Sequence, residues 1–346
     1  MTGLIVAAST ITGVFLKLPA GTLSDIIGRR PLLVTGTILF AVMPFSYLLA
    51  GSIAALIALR FVHGSATAII GPVMSATISD LAPPSRRATW LSLYSTFQGV
   101  GQAAGPVLAG VLIARGRFDL AFVIAGVVAM ATPALLVWSS IGSAANKIAP
   151  SGAGHFRRGI HEVLAERRIL VASVAHAFYF VINGTLNAFL PLFAADRIGL
   201  GAVQIGWLFG LQVLTTLAIR PLLGAASDRL GRRGAITAGL CACATSVVGI
   251  SFAITATELY AAVLIYALSV ALTTAATSAY ITDVAPKSRF GAAHGVFGTI
   301  YDVGDAGGPL LGGLLVQTWG YAPTFQLMAT LAMVAAAAFA WLSRSR

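Results

Sequence analysis

Two aspartates inside an apolar stretch are the first residues of this chain whose type and place could do chemistry. Asp302 and Asp305 lie mid-way along the apolar segment 291–317, three residues apart and so on neighbouring parts of one helix face. A carboxyl surrounded by hydrocarbon holds its proton more tightly, and two close carboxylates raise one of the pair further. That suits a group that takes up and releases a proton, and it equally suits an acid paired with a basic group on a neighbouring helix. Arg60, followed by His63 and Gly64, is another intramembrane charge, early in segment 53–79. From there it can face a cavity or snorkel to the outer interface.

Uncharged polar residues also recur at helical period. His176, Asn183 and Asn187, with Phe180 between them, share a face of segment 169–193, and Tyr266, Ser269, Thr273, Thr277 and Tyr280 share one of segment 258–282. Within a lipid-embedded span such a stripe should face water or a ligand, although each serine or threonine taken alone can bond back to its own helix. A wall of aromatics, hydroxyls and amides with few fixed charges suits a neutral or weakly charged amphiphile better than a phosphate ester.

The elements that must hold these residues are set by composition. Of 346 residues 58% are hydrophobic and 10% charged, against roughly 25% charged in soluble domains. Eleven stretches are long enough to cross about 30 Å of hydrocarbon: 1–20, 32–51, 53–79, 88–114, 118–141, 169–193, 203–226, 235–255, 258–282, 291–317 and 320–342. Little is left for a soluble domain. The net charge of +11 comes from residues gathered on one side: sixteen of the 22 Lys and Arg fall in alternate loops and the tail, which makes that side cytoplasmic. A nucleic-acid partner does not explain such alternation. Cys241 and Cys243 sit mid-span as small hydrophobes, with no disulfide, zinc or redox pattern. The N-terminus has no basic region that would make it a signal peptide. "GVGQAAG" imitates a dinucleotide fingerprint but has no preceding strand. No span carries a metal-ligand pair or a nucleophile and base at helical spacing, so an enzyme is not expected.

The chain repeats itself at one offset. "GTLSDIIGRR" from Gly21 returns as "GAASDRLGRR" from Gly224, "SDLAPPSRR" from Ser79 as "TDVAPKSRF" from Thr282, and "GQAAGPVLAG" from Gly101 as "GDAGGPLLGG" from Gly304, each 203 residues later. Lys17 and Arg220 are also 203 apart. A constant offset means a duplicated unit. Met1 then corresponds to Gln204, so segment 169–193 has no partner in the first half. An incomplete sequence or misplaced start is the expected reason. The division expected is a helical bundle over 1–141, a cytoplasmic linker over 142–168 and a second bundle over 169–346. The linker ends in a basic helix with Ile160, Val163 and Leu164 on one side, either lying on the inner leaflet or solvated.

On these motifs the chain resembles the major facilitator superfamily, in particular its drug/proton antiporters. Gly21, Asp25, Gly28, Arg29 and Arg30 are similar to the family's signature loop between its second and third helices, and Gly224, Asp228, Gly231, Arg232 and Arg233 to the echo after its eighth. Gly21 and Gly224 would let helix ends approach closely, Gly28 and Gly231 would make the sharp turn, and each aspartate would accept from a nearby arginine to close the cytoplasmic side. The glycine-proline stripes, Gly101, Gly105, Pro106 and Gly110 with Ala109 between, against Gly304, Gly308, Pro309, Gly312 and Gly313, would pack tightly on neighbouring helices. In the family such a motif in the fifth helix accompanies antiporters, which implies export. The resemblance gives Arg60 a part in proton coupling and puts the stripes at His176 and Tyr266 on helices lining the central cavity.

The expectation is an all-α membrane protein of two pseudo-symmetric bundles and about 11 spans, working by alternating access. It would be a monomer in the cell membrane exporting a small organic molecule against protons, without cofactor or metal. A symporter or facilitator for a sugar or carboxylate, and a homologue that does not transport, are the alternatives.

Overall fold

The computed structural model describes residues 1–83, 86–139, 166–285 and 290–343. Among them the regular structure is helical: α1 (Thr2–Ile27), α2 (Arg29–Tyr47), α3 (Ile53–Leu81), α4 (Arg87–Ala114), α5 (Phe118–Trp138), α6 (Arg167–Ile198), α7 (Ala202–Leu230), α8 (Arg232–Phe252), α9 (Ala256–Val284), α10 (Phe290–Trp319) and α11 (Tyr321–Leu342). Several run past their apolar stretch. In hydrocarbon the backbone bonds only to itself, and the helix carries on into the interface until a cap or glycine stops it.

Those stops are visible. Ser52 accepts from the Ala55 amide at 3.1 Å to open α3, and Thr255 with Glu258 forms a capping box on α9. Gly199 closes α6 in the left-handed region, with the Leu200 amide donating to Ala194 O at 2.9 Å. Gly28 and Gly231 carry φ of 96° and 82°, a backbone that a side chain resists, and each joins two helices with a single residue. Nine of the described helices are long and apolar enough to span a membrane. The other two are α1, which holds Lys17, and α10, which holds Asp302, Asp305 and the glycine stripe.

Contacts divide the chain into two units. One consists of Leu4–Gln98 with Val111–Gly152, built on α1, α2, α3 and α5, with a core at Leu32, Leu33, Val73 and Leu136. The other consists of Met1–Gly3, Gly99–Gly110 and Ala153–Arg346, so the middle of α4 clusters with α6 to α11. There α6 is the most enclosed span, packed along α10, while α8 packs against both α9 and α11. The expected linker helix at Ile160, Val163 and Leu164 lies outside the described residues; Arg167 and Arg168, assigned to the linker from sequence, open α6.

Candidate functional site

Small residues bring α6 and α10 together. A Cβ on Gly304 would collide with Ala177 O, one on Gly308 with Val181 O, and one on Gly184 would stand 2.6 Å from Asp305 O. With the backbones this close, the Thr185 hydroxyl crosses to Gly308 O at 2.9 Å. Gly312 faces Thr185 and Phe189, and Gly313 lies 3.4 Å from the Phe189 ring, measured from an added Cβ. Pro309 sits in the same seam, its ring 2.9 Å from such an atom on Gly184.

That seam sets Asp305 beside Asn183. Asn183 Nδ2 donates to Asp305 Oδ1 at 3.4 Å, and the Tyr266 hydroxyl donates to Asn183 Oδ1 at 2.9 Å, so one chain of polar contacts joins α9, α6 and α10. Asp302, one turn away, is buried. Taking a carboxylate out of water is costly, which is why hydrogen-bond donors and proton exchange both matter here.

An aromatic cluster adjoins this polar chain. The His176 ring centre is 4.9 Å from Phe297, 5.0 Å from Phe180, and 5.8 Å from both Tyr179 and Tyr301. Phe180 and Tyr301 are 4.7 Å apart, and Tyr179 stacks on Tyr266 at 6.3 Å. His176 is 4% exposed and its Nδ1 has no hydrogen-bond partner, as is also true of the Thr273 and Thr277 hydroxyls. A buried polar atom left without a partner loses its hydration uncompensated, so each is a place where a ligand or water can gain a bond. Thr273 lies against Gly239 of α8, and Ser269 spends its hydroxyl on Gly239 O at 2.8 Å. Asn187 is exposed and does not join the network. Among the described residues no cluster of His, Cys, Asp or Glu could hold a metal.

Arg60 lies in the other unit, where its Nε donates to Ile5 O of α1 at 3.1 Å. His63 is next to it and meets the Tyr47 hydroxyl at 2.8 Å, edge-on to the Phe40 ring at 4.9 Å. Gly64 allows α3 to touch the backbone of Ser9.

The twin loops carry duplicated staples that the sequence motif alone did not disclose. Arg29 Nε donates to Asp80 Oδ2 at 3.2 Å, and Arg29 Nη1 donates to the Ser24 hydroxyl. At the same offset of 203, Arg232 Nε donates to Asp283 Oδ2 at 3.2 Å and Arg232 Nη1 to the Ser227 hydroxyl at 3.3 Å. Arg232 also pairs with Asp228. Each staple ties the start of one helix to the end of the next within its own unit, α2 to α3 and α8 to α9. Arg30 instead caps the end of α5, donating to Val137 O at 3.0 Å, whereas Arg233 is exposed. The side chain of Asp25 lies outside the described residues.

Two glycine expectations differ from the structure. A Cβ on Gly21 or Gly224 would meet nothing within 4 Å, so neither makes the close approach expected of it. Gly101 and Gly105 likewise meet nothing within 4 Å and are exposed. The face of α4 that packs is turned from theirs: a Cβ on Gly110 would stand 2.5 Å from Ala202 O, and one on Gly206 would collide with Pro106 O. Its α10 counterpart repeats this crossing, Gly3 against Pro309 O, again at offset 203.

Duplicated staples, duplicated glycine crossings and a carboxylate wired to amide and phenol inside apolar helices define a multi-pass membrane transporter built by internal duplication. The Major Facilitator Superfamily model matches residues 1–203 and 172–346, and the chain belongs to that family. It is similar to an MFS-type transporter of Methanocaldococcus jannaschii, 22% identical over 334 residues, 96% of this chain and 86% of that protein. The multidrug transporter MdfA of Yersinia pestis is 29% identical over 64% of this chain and 56% of its own length. The class C tetracycline resistance protein of Escherichia coli is 32% identical over 67% and 59% respectively. The match therefore spans little more than half of either drug-related protein. Among solved structures, the peptide transporter POT shares the fold with a TM-score of 0.80 at 15% identity, covering 99% of this chain and 84% of that one. A bacterial homologue of the human lysosomal transporter Spinster does so with 0.80 at 16%, covering 99% and 94%.

Proposed function

We infer that this transporter exports a small aromatic or amphiphilic organic molecule in exchange for protons, by alternating access in the cell membrane. The observation that carries the reading is the Tyr266–Asn183–Asp305 chain beside the His176 aromatic cluster. Rings offer flat apolar surface to a ring-bearing substrate, the unpartnered His176 Nδ1 offers it one polar contact, and Asp305 is the group that exchanges substrate for a proton. Substrate and proton then compete for one carboxylate, which is the simplest route to antiport. The names of the two drug-related relatives favour export of such molecules. A proton crossing with the membrane potential supplies about 2.3 kcal/mol per 100 mV, more than a tenfold gradient of substrate requires.

The test is counterflow in proteoliposomes. With the lumen acidified, tetracycline should accumulate inside while protons leave, and collapsing the gradient with an ionophore should release it. Uptake driven in the same direction as the proton flow would replace antiport by symport.

A further inference from the structure

A second cavity lies away from the aromatic cluster, where the start of α6 meets the end of α11. It has a volume of about 140 Å³ and is lined by Glu166, Arg167, Arg168, Tyr280 and Ser343, with Val171 and Leu342 as its apolar part. That is more room than a single buried water needs.

Its polar lining is only partly spent: Glu166 caps α6 by accepting from the Arg168 amide at 3.5 Å, while the hydroxyls are left over. Tyr280 and Ser343 are each 5% exposed, yet neither side-chain hydroxyl makes a hydrogen bond to another described residue. Hydroxyls this buried normally find a partner. Both line the same space as two exposed arginines and the first turn of a 32-residue helix, whose end carries partial positive charge. Two guanidiniums against the single carboxylate of Glu166 leave the mouth cationic. Hydroxyl donors deep in the cavity, guanidinium forks at its mouth and a helix N-terminus are the donor set that tetrahedral phosphate oxygens accept from.

Position chooses among phosphates. Arg167 and Arg168 belong to the side that the distribution of Lys and Arg makes cytoplasmic, at the boundary where α6 enters the apolar region and α11 leaves it. Anionic lipid headgroups are concentrated at that depth, and Val171 and Leu342 give the first acyl carbons an apolar wall. We propose that this cavity holds the phosphodiester of an anionic phospholipid from the cytoplasmic leaflet, pinning α6 to α11 at the membrane surface. The site is independent of the substrate reading above, and it is tested without transport.

The full chain, delipidated in detergent, is titrated with short-chain phosphatidylglycerol, phosphatidylcholine and inorganic phosphate, and bound ligand is counted by native mass spectrometry. One saturable phosphatidylglycerol per chain is expected. Ser343→Ala, which keeps every charge, should weaken it about tenfold, and Arg167→Gln with Arg168→Gln about a hundredfold or more. Arg197→Gln, on the opposite side of the membrane, should change nothing. Equal affinity in the wild type, Ser343→Ala and the double variant would overturn the site. Inorganic phosphate bound as tightly as the lipid, or phosphatidylcholine bound equally well, would overturn its assignment to an anionic lipid.

Discussion

Gly308 and Gly105 occupy the same place in the two repeats, and the structure gives them opposite fates. A Cβ on Gly308 would collide with Val181 O and stand 2.9 Å from Thr185 N and 3.1 Å from the Gly184 Cα. These are backbone atoms, so the strain is relieved only by moving α10 off α6. Overpacking of this kind costs about 1–3 kcal/mol. Losing the Thr185 to Gly308 bond adds about 1 kcal/mol, and the better helix propensity of alanine returns about 1 kcal/mol. Gly308→Ala should therefore cost roughly 1–3 kcal/mol net. An alanine at Gly105 meets nothing within 4 Å and keeps only the propensity term, so Gly105→Ala should be neutral or stabilising by up to about 1 kcal/mol. Thermal unfolding in detergent reads the difference: at about 2–4 °C per kcal/mol, the Gly308 variant should melt several degrees below wild type and the Gly105 variant at or above it. Equal melting temperatures, or greater damage at Gly105, would refute the helix faces described here.

The staples should differ in strength although their geometry is the same. Arg29 is buried and Arg232 half-exposed with an exposed partner, so Arg29→Ala should cost about 2–4 kcal/mol and Arg232→Ala under about 1 kcal/mol, measured by the same unfolding assay. Adding salt should erase the second effect and leave the first. Tyr266→Phe removes the donor to Asn183 while keeping the ring that stacks on Tyr179. Substrate affinity should fall about fivefold to tenfold with the fold intact, and an unchanged affinity in equilibrium binding would detach Tyr266 from the site.

Helix number, the turns at Gly28 and Gly231 and the duplication were legible because each is written locally, in hydrophobic length, in a glycine, or in a constant offset. Partners across helices were not. The arginine motif names Asp25 and Asp228 by adjacency, and Arg232 does pair with Asp228, but Arg29 and Arg232 also reach Asp80 and Asp283, 51 residues away in each case. The offset held that signal, since both aspartates sit in the second repeated motif. Gly101 and Gly105 matched a small-residue stripe, but helical period cannot say which of two glycine faces a neighbour covers, and Gly99 and Gly110 make the contacts. The aromatic cluster was half visible. His176 and Phe180 stand out on α6 by helical period, whereas no such pattern marks Phe297 and Tyr301 of α10, which the glycine seam brings within ring distance.

In the proposed exchange the proton is held at Asp305. Purified chain in weakly buffered detergent near neutral pH is mixed with saturating tetracycline, and released protons are counted with a pH dye, for wild type, Asp305→Asn and Asp302→Asn. Competition for one carboxylate predicts release of about one proton per chain from wild type and none from Asp305→Asn, with substrate still bound. Undiminished release from Asp305→Asn, while it binds substrate as wild type does, would contradict it.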